Sequence, residues 1–271
     1  MYKKVRVQRN GVGIWGYQEG EHLYLDNGEI IAESDAIFLP PVDPTKIIAI
    51  HLNFPSRIQA FGAKVPKWPS YFMKPISTLS AHRAAVSRPK GTKYLNYEGE
   101  IALVIGSRAR KVSRQDAWHY IAGYSAANDF GLHDFRTSDR GSMLRVKGQD
   151  GFCPIGPALV PAYEVDPGAI RLKTYVNGNL VQEGDSKDLV FPFDYLIADL
   201  SRLITLEPGD IILTGSPANS RPVQPGDLVV VELEGLCRLE NIIVETEVDF
   251  GDYGAQPEDS DNARSTAYEI E

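Results

Sequence analysis

Apolar and polar residues alternate in short segments over the first 40 residues of the chain. Apolar side chains recur at every second position around Val5 and Leu23, as in a half-buried strand. Asn27-Gly28 is typical of a two-residue hairpin turn. Three prolines between residues 40 and 44 cannot continue a strand or a helix. We therefore expect a small N-terminal β domain over residues 1–44.

Apolar runs are longer after the prolines and predict buried strands joined by turns. The clearest runs cover residues 46–52, 100–105, 211–213 and 228–231. Asn177-Gly178 predicts another hairpin. The best helix begins near Pro192 and ends near Thr205, with five apolar residues at helical spacing: Phe193, Leu196, Ile197, Leu200 and Leu203. The pattern therefore predicts a second domain over residues 45–248 that is mostly β with a few helices.

Two local motifs receive a limited interpretation. Ser113 with Asp116 three residues later predicts the start of a short helix. Residues 11–16 fit the letters G-x-G-x-x-G of a nucleotide-binding turn. That motif requires a helix whose N-terminus faces a pyrophosphate, and the residues that follow predict a strand instead. We therefore expect no nucleotide site there.

Composition and charge exclude several classes of protein. Hydrophobic residues make up 43% of the 271 residues and charged residues 24%, which is ordinary for a globular protein. The two cysteines are too few for a disulfide scaffold, and no apolar run approaches the roughly 18 residues of a membrane helix. The first residues do not resemble a secretory signal. We expect a cytoplasmic protein that binds no membrane.

Acidic residues are concentrated at the C-terminal end. The net charge is −8, and residues 249–271 contain seven acidic residues and one basic residue. The rest of the chain is nearly neutral, without the basic excess that nucleic-acid binding requires. We therefore expect no nucleic-acid partner, and an acidic tail over residues 249–271 that is flexible.

Three carboxylates stand beside apolar segments. Glu98 and Glu100 are two positions apart where a strand begins, so they project from the same face. Like charges so close are unfavourable unless a cation lies between them, although spacing alone favours a solvated strand edge. Asp129 follows the apolar residues 120–127, where Asn-Asp is also common as a turn.

Together these acids suggest a site for a hard cation. Three carboxylates without His or Cys suit Mg²⁺ or Mn²⁺. A 2-oxo acid could replace water on such an ion, which would then act as a Lewis acid on a developing enolate.

Several motifs in order resemble the fumarylacetoacetate hydrolase family. The motifs are Tyr-Glu-Gly-Glu from Tyr97, Asn-Asp from Asn128, Val-Asn-Gly from Val176 and Thr-Gly-Ser-Pro from Thr214. Lys147 is followed by the motif Asp-Gly-Phe-Cys-Pro-Ile-Gly-Pro. The likeness covers about residues 45–247 and is greatest to the bacterial isomerase/decarboxylase branch of homoprotocatechuate (4-hydroxyphenylacetate) breakdown. It implies a mixed β-sandwich/β-roll catalytic domain with a small N-terminal β domain, usually in a homodimer.

The resemblance also implies roles for individual residues. It assigns the metal to Glu98, Glu100 and Asp129. It places Lys147 against the substrate and the loop of Thr214 and Gly215 against the substrate carboxylate. Beyond the resemblance, we take His133 as a second catalytic candidate and Arg57 and Gln149 as further substrate contacts. Lys74 lies in a stretch that also matches the family, but a structural role is equally compatible and we assign it none.

The chain departs from the family where hydrolases and decarboxylases often have a His and a Glu that activate water. Arg57 and Ala60 occupy those positions, and arginine only donates hydrogen bonds. Arg57 could clamp a remote carboxylate instead. C–C bond hydrolysis needs a base for water, whereas double-bond migration or CO₂ loss needs mainly an enolate and a proton donor. Lys147, His133 or His51 could supply the proton, although His51 also suits a core position.

The sequence therefore predicts a divalent-metal-dependent isomerase or decarboxylase. Its substrate would be a 2-oxo or 2-hydroxydienoate dicarboxylate of aromatic catabolism. An acylpyruvate-type hydrolase, an oxaloacetate decarboxylase and a catalytically silent binding or scaffold protein are the alternatives.

Overall fold

The computed structural model of the protein describes residues 2–267. The strands of its first half are β1 (Lys3–Arg9), β2 (Val12–Glu19), β3 (His22–Leu25), β4 (Ile30–Ala32), β5 (Phe38–Leu39), β6 (Ile47–Ile50), β7 (Tyr71–Lys74), β8 (Leu79–Ala81), β9 (Val86–Pro89), β10 (Leu95–Asn96), β11 (Gly99–Ile105), β12 (Ile121–Asn128) and β13 (Gly131–Leu132). The remaining strands are β14 (Cys153–Pro161), β15 (Arg171–Val176), β16 (Asn179–Asp185), β17 (Ile211–Leu213), β18 (Leu228–Leu233) and β19 (Cys237–Thr246).

Helices are few and short. The α-helices are α1 (Pro55–Ala60), α2 (Arg136–Asp139), α3 (Leu144–Lys147), α4 (Phe193–Leu203) and α5 (Asp261–Arg264). Single 3₁₀ turns cover Glu33–Asp35, Ile76–Thr78, Ala117–Tyr120, His133–Phe135, Ala162–Glu164 and Ser186–Asp188. The prediction of a mostly β protein with a few helices is confirmed.

Two large sheets form the fold. The larger has 12 strands, in the order β4-β3-β2-β1-β14-β12-β11-β17-β6-β7, with β5 added on β1 and β8 on β14. The smaller has five strands, in the order β16-β15-β18-β19-β9. Because β1 pairs with β14, with Lys4 opposite Leu159, the N-terminal strands extend the larger sheet. The domain boundary at residue 44 stays a prediction.

The main core lies between the two sheets and α4. Helix α4 presents four of its five predicted apolar residues to this core, whereas Leu203 at its C-terminal end is exposed. The core joins side chains from β11 and β12, from β15 and β18, and from α4: Ile101, Leu103, Tyr124, Leu172, Val231, Leu233, Phe193, Leu196 and Leu200.

Most predicted elements are present. The runs at 46–52, 100–105, 211–213 and 228–231 contain β6, β11, β17 and β18, and both Asn-Gly turns join paired strands. Ser113 accepts a hydrogen bond from the backbone N–H of Asp116, but the helix that follows is only a 3₁₀ turn. Residues 12–16 of the G-x-G-x-x-G stretch lie in β2, and a hairpin to β3 follows rather than a helix.

Part of the acidic C-terminal segment packs against the domain. Tyr94 Oη lies 2.5 Å from Asp259 Oδ1, Lys93 pairs with the same carboxylate, and Ala263 is fully buried. Ser260 caps α5 by accepting a hydrogen bond from Ala263 N–H. The flexibility expected over 249–271 stays a prediction, and residues 268–271 lie outside the described residues.

Across residues 2–267, no helix combines the length and the apolar character that crossing a bilayer requires.

Candidate metal centre and substrate cavity

Strand register brings the first and third carboxylates together. Strands β11 and β12 run antiparallel with Gly99 opposite Asn128, so Glu98 and Asp129 lie side by side just beyond the paired ends. The backbone N–H of Asp129 donates to the Glu98 carbonyl at 2.8 Å. Asn128 Oδ1 accepts from Glu98 N–H at 2.8 Å. This local bonding fixes the backbone from which both side chains project.

Glu98, Glu100 and Asp129 form a buried acidic cluster. One carboxylate oxygen from each lies within 4.8 Å of the others, and the three residues are 8%, 1% and 2% exposed. Acids that are distant along the chain therefore lie together, as the suggested hard-cation site requires. Their oxygen-only donor set is the chemistry that Mg²⁺ and Mn²⁺ prefer.

Cationic side chains surround two of the three acids. Arg57 Nη2 lies 2.7 Å from Glu98 Oε1, and Lys147 Nζ lies 2.8 Å from Glu98 Oε2. Asp129 pairs with Lys74 at 2.5 Å and with Lys147 at 3.0 Å. Isolated carboxylates would be very unfavourable at this depth, so these pairs are needed for Glu98 and Asp129 to be buried as anions.

Glu100 lacks such a partner. Its Oε2 accepts one hydrogen bond, from Gly215 N–H at 2.7 Å, and no described residue forms an ion pair with it. Burial, and then repulsion from Asp129 and Glu98, raise the pKa of Glu100 well above its ordinary value. A buried carboxylate that is short of one cation fits a bound divalent ion, which would supply the missing positive charge.

Glu98 has the opposite electrostatic environment. Burial alone would raise its pKa, but the positive charges of Lys147 and Arg57 outweigh burial and hold the pKa well below the ordinary value. Glu98 is therefore ionised and available as a ligand near neutral pH.

Lys147 is fully occupied by the acids. Its ammonium contacts both carboxylates and also donates to the Asp129 carbonyl at 2.6 Å, which uses its three donors. Burial alone would lower the pKa of Lys147, but Asp129 and Glu98 raise it. The residue therefore stays protonated, and its role as a proton donor stays a prediction.

A cavity of about 470 Å³ opens beside the acidic cluster. Its wall contains Glu98, Asp129 and Lys147, and it faces α1 and α2. Basic or ionisable groups on the wall are Arg57, His133, Arg136 and His51, with Phe61 and Phe72 among the apolar contributions. Such a lining suits a small anionic ligand with a carbon skeleton.

His133 faces the acids from inside this wall. It is 2% exposed, its Nε2 lies 4.0 Å from Glu98 Oε1, and this nitrogen has no hydrogen-bond partner among the described residues. Burial, and then the charge of Lys147, hold the pKa of His133 well below its ordinary value. Arg136 only donates, so His133 Nδ1 accepts from it at 3.4 Å, and the neutral imidazole carries its proton on Nε2, where this unused N–H is available to a bound ligand.

His51 also lines the cavity, with its ring 4.8 Å from that of Phe72. Burial, and then Lys147, lower the pKa of His51. It is the second imidazole within reach of a bound ligand.

The remaining predicted residues lie in different places. Thr214 is fully buried and its hydroxyl donates to the Ile101 carbonyl at 2.9 Å, while Gly215 serves the site through its N–H bond to Glu100. Gln149 donates to the Arg145 carbonyl at 2.9 Å and is not among the residues that line the cavity. The substrate contacts assigned to these three residues stay predictions.

Lys74 and Arg136 are two site residues that the sequence analysis did not assign. Lys74 lies at the end of β7, and its side chain is wholly inaccessible against Asp129. The sequence did contain a feature that could have identified Lys74: a lysine next to an apolar strand needs an acidic partner if it is buried. No sequence feature identified Arg136, because its place in the cavity wall depends on the 3₁₀ turn at 133–135.

Comparison with known proteins agrees with this architecture. The sequence model of the family described as "Fumarylacetoacetate (FAA) hydrolase C-terminal" matches residues 46–244. The 4-hydroxyphenylacetate degradation bifunctional isomerase/decarboxylase of Salmonella dublin is 42% identical over 199 residues, 73% of this chain and 46% of that protein. The protein of the same name in Escherichia coli is 39% identical over 233 residues, 86% of this chain and 54% of that protein. The chain thus spans about half the length of these curated relatives.

Solved structures share the fold over nearly the whole chain. The 5-carboxymethyl-2-hydroxymuconate delta-isomerase of Mycobacterium smegmatis superposes with a TM-score of 0.82 at 30% identity, covering 91% of this chain and 100% of that one. The maleylpyruvate hydrolase of Sphingobium sp. SYK-6, solved with manganese(II) and pyruvate, superposes with a TM-score of 0.77 at 27% identity, covering 90% of this chain and 100% of that one. On the family match and this agreement, the chain belongs to the fumarylacetoacetate hydrolase family.

Proposed function

We propose that the protein is a divalent-metal-dependent isomerase or decarboxylase. Its substrate is a 2-oxo or 2-hydroxydienoate dicarboxylate of aromatic catabolism. The observation that carries this proposal is the buried cluster of Glu98, Glu100 and Asp129 at the wall of a basic cavity. The names of the bifunctional relatives and of the M. smegmatis isomerase support the reaction class.

Glu98, Glu100 and Asp129 would hold the metal, which supplies a Lewis acid for the oxygens of a 2-oxo acid when bound. The oxygen donors favour Mg²⁺ or Mn²⁺, and the manganese in the Sphingobium hydrolase supports this class of ion.

His133 is the proposed proton carrier. Its unpartnered Nε2 faces the acidic cluster from the cavity wall, so a substrate carbon seated beside Glu98 would lie within its reach. Isomerisation and CO₂ loss both need a proton delivered to carbon, and the Nε2–H of His133 faces the position where it would be delivered. Lys147 positions Glu98 and Asp129 by bonding to both, and its charge favours an anionic substrate.

Arg57 favours these reactions over hydrolysis. It occupies the position where hydrolases and decarboxylases of the family often carry the histidine of a water-activating pair, and it lies on α1 with its guanidinium bonded to Glu98. A guanidinium does not accept a proton from water near neutral pH. Proton transfer or CO₂ loss needs no hydroxide, so either remains possible with this residue in place.

Product analysis tests the reaction class. Purified protein with Mg²⁺ or Mn²⁺ is incubated with a 2-hydroxydienoate or 2-oxo dicarboxylate, and products are followed by mass spectrometry and CO₂ release. Unchanged mass with a shifted double bond, or CO₂ release, is expected. Two acid fragments would instead show the hydrolase alternative, which the Sphingobium relative represents. No turnover and no metal would favour a silent binding protein.

We also propose a cytoplasmic homodimer with a small-molecule substrate and no nucleic-acid partner. The family resemblance supports the dimer, and the absence of basic excess supports the last point. Light scattering on the purified chain, with a mass twice 30.0 kDa expected, tests the assembly.

A further inference from the structure

Arg136 is a cation without a counter-ion at the cavity wall. It begins α2, it is half-buried, and no carboxylate of the described residues lies within ion-pair distance of it. Burial lowers the pKa of its guanidinium, the more distant charge of Glu98 opposes this effect and Arg57 adds to it, yet arginine remains charged near neutral pH. A charge held in this way is unfavourable unless an anion joins it.

Two neighbours hold the guanidinium in one orientation. Nε donates to Asn262 Oδ1 of α5 at 3.2 Å, and Nη1 lies 3.4 Å from His133 Nδ1. The guanidinium has five N–H donors in a planar fork, so several remain for a ligand. Its direction is therefore set before any ligand arrives, which reduces the entropy lost on binding.

The position of Arg136 relative to the acids determines which end of a bound substrate it can contact. The His133 ring has one nitrogen toward Arg136 and the other 4.0 Å from Glu98. Arg136 is thus separated from the metal centre by about one imidazole ring, along the same cavity. Arg57 lines this cavity too, but its guanidinium is already paired with Glu98 at 2.7 Å.

We propose that Arg136 binds the second carboxylate of a dicarboxylic substrate, the one remote from the metal, and so selects diacids over monoacids. This assignment rests on the proposed function, because it takes the first carboxylate and 2-oxygen to lie at the acidic cluster. Arg136 is then a specificity-determining residue, and Asn262 is a positioning residue that holds it.

A matched pair of ligands separates this role from a structural one. With Mn²⁺ present, calorimetry measures the Kd of 2-oxoheptanedioate and of 2-oxoheptanoate, which differ in the remote carboxylate. Wild type, Arg136→Gln and Arg136→Lys are compared with Arg140→Gln, which removes the same charge from an exposed position on the same segment.

Arg136→Gln is expected to weaken diacid binding about ten- to a hundredfold, the usual range for a lost charge-assisted hydrogen bond, with monoacid binding changed less than about threefold. Arg136→Lys should recover part of the loss, and Arg140→Gln should behave as wild type. Asn262→Ala should weaken the diacid selectively but less.

Retained monoacid binding shows that each variant is folded. Equal losses for both ligands, or no loss for the diacid, would overturn the assignment while leaving the proposed function in place. If wild type bound neither 2-oxo acid in a metal-dependent way, both proposals would fall together.

Discussion

Lys74 offers a test of the electrostatics of the metal centre because it is buried and paired at once. Its side chain is 0% exposed, its Nζ lies 2.5 Å from Asp129 Oδ1, and it also donates to the Phe152 carbonyl at 3.3 Å. Lys74→Met keeps most of the side-chain length and removes the charge. Asp129 then retains only Lys147 as its ion-pair partner.

The expected cost of Lys74→Met follows from this burial. Removing one member of a buried ion pair typically costs about 3–5 kcal/mol, because the other charge stays buried. Lys90 pairs with Glu247 at 2.6 Å, but those side chains are 59% and 81% exposed. Lys90→Met therefore loses a pair of the same type and similar length with almost no change in the free energy of unfolding.

The free energy of unfolding of wild type and both variants is measured by urea titration, first in EDTA and then with saturating Mn²⁺. In EDTA, the free energy of unfolding of Lys74→Met should be about 3–5 kcal/mol lower than that of wild type. Mn²⁺ should raise this free energy more in Lys74→Met than in wild type, because the acidic cluster of the variant carries one more uncompensated negative charge. A Lys74→Met protein as stable as Lys90→Met in EDTA, or one that Mn²⁺ stabilises less than wild type, would refute this account.

Two further predictions concern the backbone conformation at Gly215, with Gly226 as its control, and the buried carboxylate of Asp210. Gly215 has a φ of +97°, and an added Cβ would lie 2.9 Å from Asn53 Cβ, so Gly215→Ala should displace the N–H that holds Glu100 and weaken Mn²⁺ binding in calorimetry. Gly226→Ala, with a φ of +94° and open space around it, should cost stability but leave Mn²⁺ binding unchanged. Burial opposes ionisation of Asp210, but the hydrogen bonds it accepts outweigh burial and lower its pKa. The stabilisation by Asp210 is therefore complete above the unfolded-state pKa near 3.9, and it is lost as the pH falls below that value. Asp210→Asn should lower the free energy of unfolding by about 2–3 kcal/mol at pH 7, and by less below about pH 4, in denaturant titrations.

Local patterns predicted much of the fold because they depend on neighbours in sequence. Strand period and turn chemistry sufficed for β6, β11 and the Asn-Gly hairpins, and helical spacing sufficed for α4. The pairing of β1 with β14 joins residues more than 150 positions apart, and no local pattern encodes that register. The contacts of Asp259 with Lys93 and Tyr94 were missed for the same reason, since acidic composition predicts solvation and not a particular partner.

The candidate site was predictable where spacing and motif coincided. Glu100 lies in β11 and Glu98 just before it, two positions apart, and Asp129 follows the end of the paired strand β12. Lys74 and Arg136 depend on tertiary placement: one reaches Asp129 from β7 and the other enters the cavity through a 3₁₀ turn. The water-activating pair is absent in the sequence, but only the structure shows Arg57 bonded to Glu98.

Manganese binding to wild type and to Glu100→Gln tests the central claim most directly. Glu100 is the acid with no cationic ion-pair partner among residues 2–267, so its carboxylate contributes to the site chiefly when a metal is bound. Glu247→Gln, at an exposed position, is the matched control. Electron paramagnetic resonance of free Mn²⁺ should show one tight ion per chain in wild type and Glu247→Gln, and at least about tenfold weaker binding in Glu100→Gln. Equal Mn²⁺ affinity in Glu100→Gln and wild type would contradict the account.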